Sequence, residues 1–186
     1  VAPDDPVAEH IIWPEELLYD ETGMFRGFVM PIVKGSIDLE ELCTPALIAN
    51  SKFQRFDHRE GGALLRRMSV AMNLAAAIHA LHKSATYVLV DLKGPNVRVN
   101  PKGMLSLIDM DSIQICQNNV LLHPAMVLTE EYAPPEYHHG RVQPAQHIID
   151  EAWDRFGYAV LSYRLLFGLH PFAGTYLDTS LTTIAE

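Results

Sequence analysis

Cysteine, basic charge and long apolar runs are all scarce in this chain, and each scarcity removes a class of function. Its two cysteines, Cys43 and Cys116, stand far apart and form no C-x-x-C pair. Neither a disulfide framework nor a zinc knuckle is supported, and a reducing, cytoplasmic setting is expected. The 14 Lys and Arg are outnumbered by 23 Asp and Glu, for a formal net charge of −9. That balance argues against a nucleic-acid-binding or membrane-binding surface. No apolar run approaches the length needed to span a bilayer, and the opening V-A-P-D-D-P-V-A-E lacks the basic-then-apolar pattern of a secretion signal. Internal repeats and low-complexity tracts are also missing.

What is present can build a core. Of the 186 residues, 48% are apolar, which suits one domain or a large part of one. Residues 1–10 are proline-rich and acidic and read as a mobile lead-in. The runs I-I-W-P-E-E-L-L-Y-D and F-R-G-F-V-M-P-I-V flank a turn containing Gly23 and predict a β-hairpin. Pro31 has no amide for a ladder, so the second strand stops there, leaving the Pro31 carbonyl and the Val33 amide for another partner. S-I-D-L-E-E-L predicts a short helix capped by Ser36.

A long helix is predicted over 62–83, with Leu64, Met68, Ala71, Ala75, Ile78 and Leu81 on its core face. His79 and His82 are three apart but have no third ligand in the pattern, so they read as structural rather than zinc-binding. Residues 112–129 show no clean period and predict a long loop with some strand character. It closes on E-E-Y-A-P-P-E-Y, whose paired prolines argue against regular structure. Residues 138–146 read as an exposed loop with His138 and His139 solvated. A second, more apolar helix is predicted over 150–168, buried on most faces and terminated by Gly168. A new helical segment begins at Ala173.

The stretch with the most chemical content is V-D-L-K-G-P-N-V-R-V-N-P-K-G-M-L-S-L-I-D-M-D, residues 90–111. Val97, Val99, Leu105 and Leu107 alternate with less apolar neighbours around N-P-K-G, a strong hairpin signal. Antiparallel pairing brings Asn96, entering the first strand, and Asp109, leaving the second, to the same end of the ribbon. Both can then reach one ion. Mg²⁺ takes one or two carboxylates together with phosphate oxygens and water, which suits this pair better than zinc or calcium chemistry. Asp91, five residues before Asn96, adds a candidate base, so the spacing is that of phosphoryl transfer.

Several separated segments, in order, carry a resemblance to one family. D-L-K-G-P-N, I-D-M-D, Y-A-P-P-E, D-R-F-G-Y-A and G-L-H-P-F resemble the catalytic loop, metal-binding element, activation-segment end and central helix of eukaryotic-type protein kinases. Within that family the chain looks like the divergent bacterial branch that includes kinase domains fused to helix-hairpin-helix modules. The resemblance implies an α+β, protein-kinase-like fold, with a mainly α-helical large lobe over residues 34–186 and the final β-hairpin of the small lobe within residues 1–33. It also implies a Ser/Thr kinase using ATP and Mg²⁺ on an unspecified protein substrate. Asp91 would orient and deprotonate the acceptor hydroxyl, and Lys93 would neutralise the transferring phosphate. Asn96 and Asp109 would hold Mg²⁺. Met30, Pro31 and Val33 would form the hinge that meets adenine, Asp154 would brace the catalytic loop, and Glu136 would pair with a basic residue farther along.

The departures from the family pattern carry their own expectations. Leu89 and Val90 stand where the family has His and Arg, so activation by loop phosphorylation is not expected. Met110 and Asp111 replace Phe and Gly, which would either restrict an inactivating flip or add a carboxylate near the metal. There is no glycine-rich loop and no V-A-I-K lysine, so the sequence reads as a fragment of a longer kinase with the possibility of further domains. Two other readings stay open: a pseudokinase serving as a nucleotide-binding or scaffold module, and a small-molecule phosphotransferase.

Overall fold

The computed structural model describes residues 10–44, 46 and 48–174. The expected lead-in before His10, and all but the first two residues of the expected helical segment from Ala173, lie outside them. In chain order the elements are β1 (Glu16–Tyr19), β2 (Phe25–Val29), β3 (Ile37–Asp38), α1 (Leu39–Leu42), α2 (Ala63–His82), β4 (Tyr87–Val88), β5 (Val97–Val99), β6 (Leu105–Leu107), β7 (Gln114–Gln117), β8 (Val120–His123), α3 (Pro135–His138) and α4 (Ala152–Phe167). Three antiparallel sheets result, β1-β2, β3-β5-β6 and β4-β7-β8, and the fold is α+β.

Turn chemistry sets the two predicted hairpins. The Asp20 carboxylate accepts from the amides of Thr22 and Met24 at 2.9 and 3.0 Å, closing the β1-β2 turn. β2 ends two residues before Pro31, and neither the Pro31 carbonyl nor the Val33 amide has a hydrogen-bond partner among the described residues. In the β5-β6 hairpin Val97 pairs with Leu107 and Val99 with Leu105. All four side chains are buried, as the alternation requires.

Several elements differ from expectation for identifiable reasons. Ser36 is not a helix cap, because Ile37 and Asp38 pair with Val99 and Arg98 as β3 and the helix starts at Leu39. The Ser36 hydroxyl donates to the Val33 carbonyl (3.2 Å) and accepts from Arg98 Nε (3.1 Å). The predicted loop over 112–129 contains the β7-β8 hairpin, turned at Asn118 and Asn119 with φ of 52° and 62°. Asparagine tolerates this left-handed backbone, so Q-N-N was a turn signal. Nor do the paired prolines exclude a helix: Pro135 occupies the first turn of α3, where its missing amide has no intrahelical role. His138 Nε2 donates a 3.1 Å bond to the Glu130 carbonyl, so it is not merely solvated.

The largest correction concerns α2. Ala71, Ile78 and Leu81 are buried as expected, but Leu64 and Met68 are exposed and Ala75 is only half-buried. The inward stripe runs Ala63, Arg67, Val70, Ala71, Leu74, Ala77, Ile78 and Leu81, the same period on a rotated face. Arg67 sets that rotation. Only 1% exposed, its guanidinium donates to the carbonyls of Phe56 (2.6 Å), Leu42 (2.5 Å) and Leu165 (2.5 Å). α4 ends at Gly168, whose φ of 75° suits the left-handed cap. α4 buries Trp153, Asp154, Val160, Leu161 and Leu165 but leaves Tyr163 and Phe167 partly exposed, so it is one-sided rather than buried all round. No helix of the described residues is long and apolar enough to cross a membrane.

Candidate active site

The loop between β4 and β5 hangs from the start of α4. Asp154, fully buried, accepts from the amides of Leu89 (2.8 Å) and Val90 (3.0 Å), one carboxylate oxygen each. The first of these oxygens also meets His82 Nε2 at 2.8 Å, and the Trp153 indole donates to the Val90 carbonyl at 3.0 Å. Asp154 thus has the bracing contacts expected of it, and His82 serves as its partner rather than as a zinc ligand. Val90 is held at φ 65°, a conformation a β-branched residue adopts only under such restraint.

This suspension delivers Asp91 into a buried position with asymmetric surroundings. Its Oδ2 lies 2.6 Å from Lys93 Nζ and 3.5 Å from Asn96 Nδ2. Its Oδ1 is buried with no hydrogen-bond partner among the described residues. An unpaired buried carboxylate oxygen is costly, so the site is built for a donor that arrives from outside. Lys93 also donates to Thr129 Oγ1 at 3.2 Å, joining this loop to the end of the segment after β8. The Asn96 amide nitrogen donates to the Asp91 carbonyl at 2.9 Å, which fixes its orientation and leaves Oδ1 as an acceptor.

The β5-β6 pairing brings Asp109 to the same small pocket as Asp91 and Asn96, as the hairpin reading required. Asp109 sits at φ 65°, in the left-handed region. Its carboxyl is pushed above the ordinary range, first by partial desolvation and then by the hydrogen bond and charge of the Asp111 carboxyl, against the pull of Lys93. Surplus acceptors with too little positive charge are what a hard divalent cation would relieve, so Asn96 and Asp109 fit Mg²⁺. No cluster of three or more His, Cys, Asp or Glu that could hold a metal occurs among the described residues. A site completed by a ligand's own oxygens does not need one.

Met30, Pro31 and Val33 reach the same place from the other side. With Ile32, Pro95, Asn96, Arg98, Ile108 and Asp109 they line an open cleft of about 610 Å³. Met30, Pro31, Val33, Asn96 and Asp109 therefore border this cleft and Asp91 the small pocket that shares Asn96 and Asp109 with it, whereas Lys93 lines neither and reaches the site through its ion pair with Asp91. Glu136, by contrast, lies in a separate concavity with Trp153 and Phe156 and forms no ion pair among the described residues. Gly94 holds the loop close to α1: a Cβ there would overlap the Glu40 carboxylate and lie 2.9 Å from Glu40 Cα. Glu40 is itself clamped by Arg164, which also bonds the Tyr132 hydroxyl.

Three contributors escaped the sequence reading. His82 was read as structural but without a partner, Thr129 lies 36 residues from Lys93, and Arg98 was read only as one of the less apolar residues alternating along its strand. A polar residue at the outward position of an otherwise apolar strand was the one available signal, for Arg98. The chain matches the protein kinase domain over residues 14–185. No curated protein matches it.

Proposed function

Since the chain belongs to the protein kinase domain family, and its general activity is that of a phosphotransferase, we propose that it transfers the γ-phosphoryl group of ATP, with Mg²⁺, to serine or threonine hydroxyls of a protein. The observation that carries this reading is the Asp91 carboxylate. One oxygen is steadied by Lys93, and the other is buried without a donor beside the acceptors of Asn96 and Asp109. A substrate hydroxyl supplies the missing donor, and Asp91 aligns it and takes its proton. Lys93, bridging Asp91 and Thr129, places positive charge where phosphoryl oxygens gather. Asn96 and Asp109 hold the metal, whose chemistry is to neutralise phosphate charge. The Pro31 carbonyl and Val33 amide, without partners among the described residues, suit the amino group and ring nitrogen of adenine. The acidic net charge, −9, fits a protein rather than a nucleic-acid partner.

Calorimetry of ATP binding to the intact protein, with and without Mg²⁺, tests the nucleotide site. Binding should require Mg²⁺ and weaken by at least about tenfold in Asp109→Ala, in line with removal of a metal ligand. Wild-type binding indifferent to metal and to the variant would leave a scaffold as the better reading. Phosphoamino acid analysis of labelled protein separates serine and threonine from tyrosine acceptors.

Gly94 supplies an independent check. In Gly94→Ala the new methyl meets the Glu40 backbone, so the loop must shift along with Lys93 and Asn96. Displacements of this size around reacting groups cost about 100-fold in rate. Steady-state phosphorylation should show that loss together with a lower melting temperature, because overpacking against backbone costs about 1–3 kcal/mol; a wild-type rate would mean that the loop tolerates the shift.

A further inference from the structure

We propose that Asp111 is a second carboxylate ligand at the metal site, so that with Asp109 and Asn96 it holds a divalent cation before any nucleotide arrives. This rests on the phosphoryl-transfer reading and adds to it a residue and an order of binding. Where the family pattern has glycine, this chain brings a carboxylate. Asp109 stands just before a single 3₁₀ turn, Met110–Ser112, yet its side chain caps no amide of that turn. Met110 and Ser112 are buried and fasten the turn to the interior, whereas Asp111 between them is exposed. The Asp111 side chain is therefore not needed to hold the backbone. What it meets is the Asp109 carboxyl, within hydrogen-bonding reach. Two charged carboxylates this close repel unless a cation lies between them.

The charged groups acting on Asp109 are Asp111, Lys93 and Asp91, so three carboxyls face one ammonium. Lys93 is already paired with Asp91 at 2.6 Å, and the surplus left on Asp109 and Asp111 is what one divalent cation balances. A separate observation points to the same ligand. Asp91, only 4% exposed, lines the small pocket with Asn96 and Asp109, and its Oδ1 is buried without a donor among the described residues. Mg²⁺ dehydrates reluctantly, so a cation held here keeps waters able to donate to that oxygen until a substrate hydroxyl replaces them. Asn96 adds a neutral oxygen, because its amide nitrogen is committed to the Asp91 carbonyl at 2.9 Å. Affinity at such oxygen sites rises with the number of charged ligands.

Mn²⁺ is the probe, since it takes the same oxygen ligands and is followed by electron paramagnetic resonance. Titrated into the intact protein without nucleotide, it should bind the wild type and raise its Tm. Asp111→Ala removes the carboxylate but keeps a β-carbon, and with it the backbone restriction; it should weaken Mn²⁺ by at least about tenfold. Without metal the same variant should melt no lower than wild type, because a repulsion has been relieved. Asp111→Gly should show the same loss of Mn²⁺, and Asp109→Ala should lose the site as well. Unchanged Mn²⁺ affinity in Asp111→Ala would overturn the ligand role. So would a loss confined to Asp111→Gly, which would place the effect in the backbone, or binding untouched by Asp109→Ala, which would place the ion elsewhere. Wild-type protein that binds ATP only with Mg²⁺ but takes no Mn²⁺ alone would sink this proposal and leave the kinase reading intact. If it binds neither, both readings fall.

Discussion

Asp91→Asn is expected to slow phosphoryl transfer by about 1,000-fold while Mg²⁺-ATP affinity and melting temperature stay close to wild type. Asparagine keeps the shape of the side chain, and the loop's suspension from Asp154 and Trp153 does not pass through the Asp91 carboxylate. What the variant loses is the negative oxygen that has no donor of its own. Single-turnover phosphorylation with labelled ATP, run beside calorimetry, measures the two effects separately. Turnover within tenfold of wild type would show that another group accepts the proton. Loss of nucleotide binding as well would show that Asp91 organises the cleft rather than the acceptor.

The largest expected effect on stability belongs to a residue outside the site. Arg67→Met should cost about 4 kcal/mol, because the carbonyls of Phe56, Leu42 and Leu165 are left without a donor in a dry interior. For a chain of this size that corresponds to a drop of about 10 °C in Tm. Methionine preserves most of the volume, so lost hydrogen bonding rather than a cavity accounts for the change. Leu64→Ser, one turn earlier on the same helix, is the control: Leu64 is 58% exposed, and the substitution should change stability by less than about 1 kcal/mol. Thermal and urea unfolding of the two variants would decide the rotation of α2. A larger loss in Leu64→Ser than in Arg67→Met would reverse the assignment of its inner face.

The two residues also show why a correct helix can carry a wrong face. The first half of α2 reads A-L-L-R-R-M-S-V-A-M, with apolar residues on several sides, and a 3.6-residue period fits more than one stripe. Burying an arginine is unfavourable on composition alone. Three carbonyls contributed from 11, 25 and 98 residues away make it favourable, and no local window contains them. The region after Asp109 failed differently. Its Q-N-N turn was legible, but β7 also needed β4 as a partner, 28 residues upstream at Tyr87↔Ile115 and separated by a loop and a hairpin.

The candidate site was more legible than these elements because its chemistry is compressed into one local unit. Asp91, Lys93, Asn96 and Asp109 fall within 19 residues, and a single β-hairpin with strong alternation and a clear turn brings the last two together. Spacing and pleat determined that much by themselves, along with the two long helices and the stop at Gly168. Only the tertiary structure decided that Met30–Val33 and Arg98 share a cleft with them, that Asp154 and His82 suspend the loop, and that Arg67 rather than Leu64 faces the core. The physical reason is range. Alternation, turns and caps are settled by neighbours a few residues apart, whereas the partners that satisfy a buried carboxylate or guanidinium come from wherever the packed chain happens to place them.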